Sequence, residues 1–270
     1  MGTRTWSAIT YGNGRYVAVG ANGYVTHSDD GVNWSEPKKI NSILSFCGGI
    51  VYAVDKFIVC GTKVGSGYGG CIAYSSDGIN WSTAEQNSVN YWKGITYGDG
   101  KFVVCGYGDS GYVAYSDDGV NWSTPTRLNK GIKKIEWDAI AYGNEMFIVV
   151  GNGGFISYSN DGVTFNSPIT VGSDIWECCT YGGDKFVAMG RSGYTSYSSD
   201  GIKWSNPKGV GGAGCWWRGI AYANGKFVGV SYNGWITYSS DGINWGEEKR
   251  ITGESGKEIT EDLYGICAVH

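Results

Sequence analysis

The chain has 270 residues, enough to bury a substantial core, with 46 glycines, 15% aromatic residues and only 4 prolines. That composition excludes a collagen-like chain, a proline-rich linker and a disordered segment, and it suits short strands joined by tight turns. A net charge of −4 weighs against a nucleic-acid partner, and the absence of a long apolar window weighs against a membrane span.

The elements repeat. In the first unit, alternation of apolar and polar residues predicts strand A over "TWSAITYG", strand B over "RYVAVG" and strand C over "YVTHS". A "DDG" turn follows, then strand D over "VNWSEP". The strand-A and strand-B consensus returns as "WKGITYGDGKFVVCG", "WDAIAYGNEMFIVVG", "WECCTYGGDKFVAMG" and "WRGIAYANGKFVGVS", with a looser copy in "FCGGIVYAVDKFIVCG". The turn after strand C returns six times, as "HSDDGVNW", "YSSDGINW", "YSDDGVNW", "YSNDGVTF", "YSSDGIKW" and "YSSDGINW". Its aspartates Asp30, Asp77, Asp118, Asp161, Asp200 and Asp241 are 47, 41, 43, 39 and 41 residues apart. Four short antiparallel strands at such a period predict an all-β fold, a six-bladed β-propeller forming a single domain over 1–270. The blades are expected over about 4–40, 44–86, 90–129, 135–170, 174–208 and 215–251. The end, "EDLYGICAVH", contains "LYGI", which matches "WKGI" and "WRGI". It predicts an extra closing strand over 262–270, paired within the ring or at an adjoining edge.

The turn S-x-D-G-x-x-W resembles the Asp-box, or bacterial neuraminidase repeat, of several β-propeller groups, shortened by one residue against the usual S-x-D-x-G-x-T-W. The resemblance implies that the box joins the third and fourth strands of each blade. Independently of it, a turn aspartate accepts backbone N–H bonds, glycine supplies a positive φ and the terminal aromatic is expected to pack between blades. The six aspartates are therefore read as structural. No metal site is expected, since the box lacks the alternating carboxylates of calcium loops and the chain has neither a CxxC pair nor more than two histidines. Of its eight cysteines, Cys60, Cys105, Cys178 and Cys179 replace small or medium apolar residues of sister repeats, and the set is read as reduced, structural thiols. Together with an N-terminus that lacks an apolar signal-peptide core, they suggest a cytoplasmic or virion-associated protein.

The box and the A–B turns are nearly constant, whereas the B–C loops and D–A connections vary and share one face of an up-and-down blade. That face is the candidate binding surface, offering Lys63, Tyr68, Tyr107, Asp109, Asn152, Arg191, Trp216, Tyr232 and Asn233. The residue after the strand-A aromatic is Ser7, Lys93, Asp138, Glu177 or Arg218. If strand A is innermost, these ring the channel entrance, with Lys93 beside Asp138 and Glu177 beside Arg218, either as structural ion pairs or as ligand contacts. Strand C begins with Tyr24, Cys71, Tyr112, Phe155, Tyr194 and Trp235, aromatics that serve either blade packing or sugar stacking.

The leading functional expectation is a non-catalytic recognition module for glycans or other surface polymers, needing no cofactor. An alternative is a structural or protein-interaction propeller, as in phage tails or bacterial surface assemblies. The resemblance also raises a sialidase-like hydrolase, which would need three arginines on the substrate carboxylate. Arg127, Arg191 and Arg218 are the candidates, but the family's Arg-Ile-Pro signature is missing.

Overall fold

The computed structural model describes residues 4–42, 44–63, 69–84, 91–128, 134–212, 215–253 and 256–268. These form six four-stranded antiparallel sheets, each built from consecutive strands. Blade 1 holds β1 (Trp6–Gly12), β2 (Arg15–Gly20), β3 (Tyr24–Ser28) and β4 (Lys38–Lys39). Blade 2 holds β5 (Leu44–Ala53), β6 (Lys56–Lys63), β7 (Gly70–Ser75) and β8 (Ser82–Ala84). Blade 3 holds β9 (Tyr91–Gly98), β10 (Lys101–Tyr107), β11 (Gly111–Ser116) and β12 (Thr126–Arg127). Blade 4 holds β13 (Trp137–Gly143), β14 (Met146–Gly151), β15 (Phe155–Ser159) and β16 (Ile169–Thr170). Blade 5 holds β17 (Trp176–Gly182), β18 (Lys185–Gly190), β19 (Tyr194–Ser198) and β20 (Lys208–Gly209). Blade 6 holds β21 (Trp217–Ala223), β22 (Lys226–Ser231), β23 (Trp235–Ser239) and β24 (Lys249–Arg250).

The first strands are the inner ones and touch in ring order, β1 to β5, β5 to β9, and onward to β21. Second strands are buried on both faces, as in Val17, Ala18 and Val19 of blade 1. They therefore read as continuous apolar runs rather than alternating ones. Where inner strands end, Gly12, Gly98, Gly143 and Gly182 each face the ring of Tyr52, Tyr142, Tyr181 or Tyr222 on the next blade. A Cβ there would fall inside that ring, so glycine is what lets adjacent blades close up.

The six turns share one geometry. Ser28 Oγ donates to Asp30 Oδ1 at 2.9 Å and accepts from the Gly31 N–H at 2.8 Å, while Asp30 Oδ1 also accepts from the N–H groups of Val32 and Asn33. The Asn33 backbone N–H, its side-chain amide and the Val32 N–H hold the Asp30 carboxyl well below the usual carboxylate range. Asp77, Asp118, Asp161, Asp200 and Asp241 accept the same serine hydroxyl and backbone bonds in their own turns.

This network explains a correction. The segment expected as strand D, "VNWSEP", is not a strand. Its first two N–H groups are spent on Asp30, its indole N–H donates to the Gly31 carbonyl at 3.1 Å, and bonding to β3 resumes only at Ser35. The fourth strand is two or three residues long in every blade; in blade 1 it begins after this segment, at Lys38, and in blade 2 directly after the box tryptophan, at Ser82.

The box also fastens blades together. Gly78 of blade 2 lies over Val17 of blade 1, Gly119 over Ile58, Gly162 over Val103, Gly201 over Met146 and Ile148, and Gly242 over Val187. The box aromatics Trp81, Trp122, Phe165, Trp204 and Trp245 each join the apolar cluster shared with the preceding blade. Burying such a side chain is worth roughly 1.5–3 kcal/mol.

The expected closing strand is corrected in part. Residues 262–268 lie in the ring but form no ladder, because no second strand pairs with them; residues 269 and 270 fall outside the described residues. Gly265 sits against Ala8 and Ile9 of β1, as Gly94 of β9 sits against Ala139 and Ile140 of β13. On its other side, Gly219 of β21 faces Tyr264 and Gly265. Leu263-Tyr264-Gly265 therefore occupies the place of Trp-x-Gly in a seventh inner strand.

Candidate functional site

The variable face is organised by a β-bulge. In blades 1, 4, 5 and 6 the register of the inner strand shifts just after its tryptophan, between Trp6 and Ala8, Trp137 and Ala139, Trp176 and Cys178, and Trp217 and Gly219. Blade 3 shifts at the matching place, around Lys93, and blade 2 between Cys47 and Gly49. Ser7, Gly48, Lys93, Asp138, Glu177 and Arg218 are thus the extra residues of six bulges, which re-aim side chains out of the ladder. The repeat match places Tyr264 at the same position of the ring, though 262–268 form no ladder and so no bulge. The sequence placed these residues in a ring by position alone; the bulge that turns them there has no residue signature of its own.

Two groups form on this ring. In the first, the Lys93 ammonium stands 3.5 Å from Asp138, whose side chain is 7% exposed. Burial, against the pull of Lys93 and with a push from Glu177 and Glu136, raises the Asp138 carboxyl to about 7. Lys93 also stands 5.7 Å from the Tyr107 ring, which stacks on Tyr91 at 5.0 Å.

The second group centres on Glu177, whose side chain is 6% exposed. Glu177 Oε2 accepts from Arg218 at 2.7 Å, and Oε1 accepts from Arg191 Nε at 2.7 Å and from the Trp216 indole at 3.2 Å. Both guanidinium groups lie over the Trp216 ring, Arg191 at 4.2 Å and Arg218 at 3.9 Å. Arg218 also donates to the Tyr232 hydroxyl and lies 5.5 Å from the Tyr264 ring. Tyr232 meets Trp216 and Tyr264 edge-on. Arg218 Nε is buried without a partner, while the Arg191 side chain is 40% exposed. A buried carboxylate thus holds two cations on one indole, and one cation keeps an open flank.

The remaining candidates lie apart. Asp109 accepts from the Tyr112 hydroxyl at 2.6 Å and pairs with Arg127 at 3.8 Å, within blade 3. Arg127 is thereby separated from the Arg191–Arg218 pair, so the three arginines of a sialidase reading are not brought together. Trp235 carries Arg250 at 4.9 Å from its ring, and Tyr24 carries Arg4 at 4.2 Å. Asn152 accepts from the Glu136 N–H, and the Asn233 N–H donates to Asp262. Tyr68 lies outside the described residues. The sequence could not reveal that cations cover the faces of Trp216, Trp235 and Tyr24, because Arg191, Arg250 and Arg4 lie far from those rings along the chain.

All eight cysteines are free, six of them buried. Burial pushes the Cys47 thiol up to about 12 and raises Cys60 further. Among the described residues no helix is long and apolar enough to cross a membrane.

No family model and no curated protein matches this chain. Among solved structures it is similar to YCF48 bound to a D1 peptide, with a TM-score of 0.66 at 15% identity over 92% of this chain and 80% of that one. It is similar to YCF48 from Cyanidioschyzon merolae, with a TM-score of 0.62 at 14% identity over 90% of this chain and 84% of that one. A chain of a nidogen/laminin complex matches with a TM-score of 0.56 at 12% identity, over 76% of this chain and 80% of that one. At these identities the likeness is one of fold.

Proposed function

We propose that this protein is a non-catalytic recognition propeller that binds a polypeptide segment across the channel mouth on the B–C and D–A face. The observation that carries the reading is the Glu177 group, where Arg191 is held on Trp216 with one flank open. Such a site suits a carboxylate-bearing peptide flanked by apolar side chains, with the cation already oriented before binding. Two neighbours of this fold, YCF48 with a D1 peptide and the nidogen/laminin complex, were captured with polypeptide partners, which supports this class over others. A glycan platform finds less support, since sugar stacking needs open aromatic faces and guanidinium groups lie over Trp216, Trp235 and Tyr24.

Panning the protein against a displayed random-peptide library tests the reading. Enriched peptides should carry an acidic residue next to apolar ones, and Arg191→Glu should weaken them about tenfold or more, roughly 1.4 kcal/mol. A glycan-array signal lost in the same variant, with no peptide enriched, would overturn the proposal.

A further inference from the structure

The first residue of each third strand lies on the variable face, and in most blades something covers it. Lys39 of β4 stands opposite Tyr24, Arg127 of β12 opposite Tyr112 and Arg250 of β24 opposite Trp235. Arg4 and Lys39 lie over the Tyr24 ring, and Arg250 lies over Trp235. The Tyr112 hydroxyl is tied to Asp109, and Phe155 packs into the cluster between blades 3 and 4. Blade 5 departs from this pattern. There Tyr194 opens β19 opposite Gly209 of β20, which offers no side chain. Tyr194 is 42% exposed, and among the described residues no cation or second ring lies on it.

Tyr194 is also three residues from Arg191, the cation of the channel mouth that keeps an open flank. The loop between them is held throughout. Arg191 Nε donates to Glu177 at 2.7 Å, and its guanidinium lies on Trp216. Ser192 donates its N–H and its hydroxyl to Asp174, the hydroxyl at 2.9 Å. The Val210 N–H donates to the Gly193 carbonyl at 2.7 Å. Gly193 has a φ of 82°, which glycine adopts without strain. Gly190 lies so close to the Asp174 carboxylate that a Cβ would strike it. A cation and an open ring thus sit on one pre-ordered loop, so little ordering entropy is lost when a partner meets both.

We infer that Tyr194 is a specificity-determining residue of the channel-mouth site, stacking a proline or aromatic side chain of the bound segment beside the acidic residue that Arg191 takes. The inference rests on the peptide-binding reading and adds to it the identity and spacing of the apolar neighbour. Three residues of chain span at most about 10 Å, and an extended segment rises about 3.3 Å per residue. The partner's ring residue therefore lies within about three positions of its acid. A proline or aromatic ring fits because it lays a broad apolar surface on the phenol ring.

Two variants separate this contact from the Arg191 contact. Tyr194→Ser removes the platform at an exposed position. Gly209→Arg keeps Tyr194 but covers it, as Arg250 covers Trp235; a Cβ on Gly209 meets nothing within 4 Å. The unmodified chain and Tyr194→Ser are panned against a displayed random-peptide library, and the peptide enriched by the unmodified chain is titrated into all three proteins by fluorescence anisotropy. Peptides from the unmodified chain should carry an acid with a proline or aromatic residue within three positions. Those from Tyr194→Ser should keep the acid and lose the ring residue. Both variants should bind the first peptide about tenfold more weakly while circular dichroism and melting temperature stay native. A copy of that peptide with its ring residue changed to alanine should bind all three proteins alike. Acidic peptides without a nearby ring residue, or equal affinities in the three proteins, would overturn the inference and leave the peptide reading standing. If the unmodified chain enriches no peptide, or binds a glycan through Tyr194 instead, both fall.

Discussion

The boundary between blades 3 and 4 and the boundary between blades 6 and 1 are built from the same repeat, yet they differ at every level. At the first, Gly162 and Phe165 of the later box close over β10, the inner-strand bulges meet as the Lys93–Asp138 ion pair, and Trp137 is fully buried. At the second, the box of blade 1 meets no preceding blade, Trp6 is half-buried, and the bulge residue Arg218, paired with Glu177 of blade 5, meets the Tyr264 ring on its other side. The difference teaches that a box stabilises through what lies beneath it. Its serine–aspartate and backbone hydrogen bonds recur in all six copies, so the unequal burial around them separates a sealed boundary from an open one.

Three changes would break or sharpen this contrast. The largest effect is expected from deleting 262–270, which removes the segment that lies between β21 and β1 among the described residues. A loss of about 3–5 kcal/mol, read as a fall of roughly 6–15 °C in melting temperature, is expected; an unchanged melting point would mean that the segment does not close the ring.

The middle effect compares two box tryptophans. Trp122→Ala, at the boundary of blades 2 and 3, should cost about 3–4 kcal/mol. Trp34→Ala, at the open boundary, should cost about 1 kcal/mol because little packs on it. Urea unfolding of both variants reads the difference, and equal costs would dissolve the contrast.

The smallest is a pH effect at the sealed boundary. The Asp138 carboxyl is raised from 3.8 to about 7, so the folded state binds its proton more tightly than the unfolded chain. Stability from this group is full below about pH 4 and declines as pH rises toward 7. Asp138→Asn should flatten that decline, measured as denaturant midpoints from pH 4.5 to 7.5. The box carboxyls act oppositely. Asp118, lowered chiefly by the Asn121 N–H, contributes stability above about pH 4 that is lost as its carboxyl protonates.

Blade number, strand order and the fastening role of the box were legible because each rests on local pattern repeated six times. Turn residues bounded the first three strands, and Ser-x-Asp-Gly marked the turn after them. The fourth strand was misplaced because the box diverts the N–H groups of residues such as Val32 and Asn33 that a ladder would need. The ring of charges was legible as a list, from Lys93 to Arg218, but the cover over the aromatic faces was not. Arg191, Glu177, Trp216 and Arg218 come together from two blades, and Arg250 over Trp235 comes from another strand. The position of Tyr264 was half legible: "LYGI" matched the inner strand, while its place as a seventh member of the ring needed the packing of Gly265 on Ala8.

The seating of each box on the blade before it also fixes an order of assembly. During synthesis every new blade finds its partner surface already made, only some forty residues back, so contacts grow step by step at small chain separations. One contact breaks that rule, the meeting of Gly265 with Ala8, which must draw together the two ends of the chain. Loop-closure entropy grows only logarithmically with length, yet this step alone has no neighbour to guide it. Amide exchange should therefore find the last region to acquire protection, and the first to lose it, at the junction of residues 6–9 with 263–266.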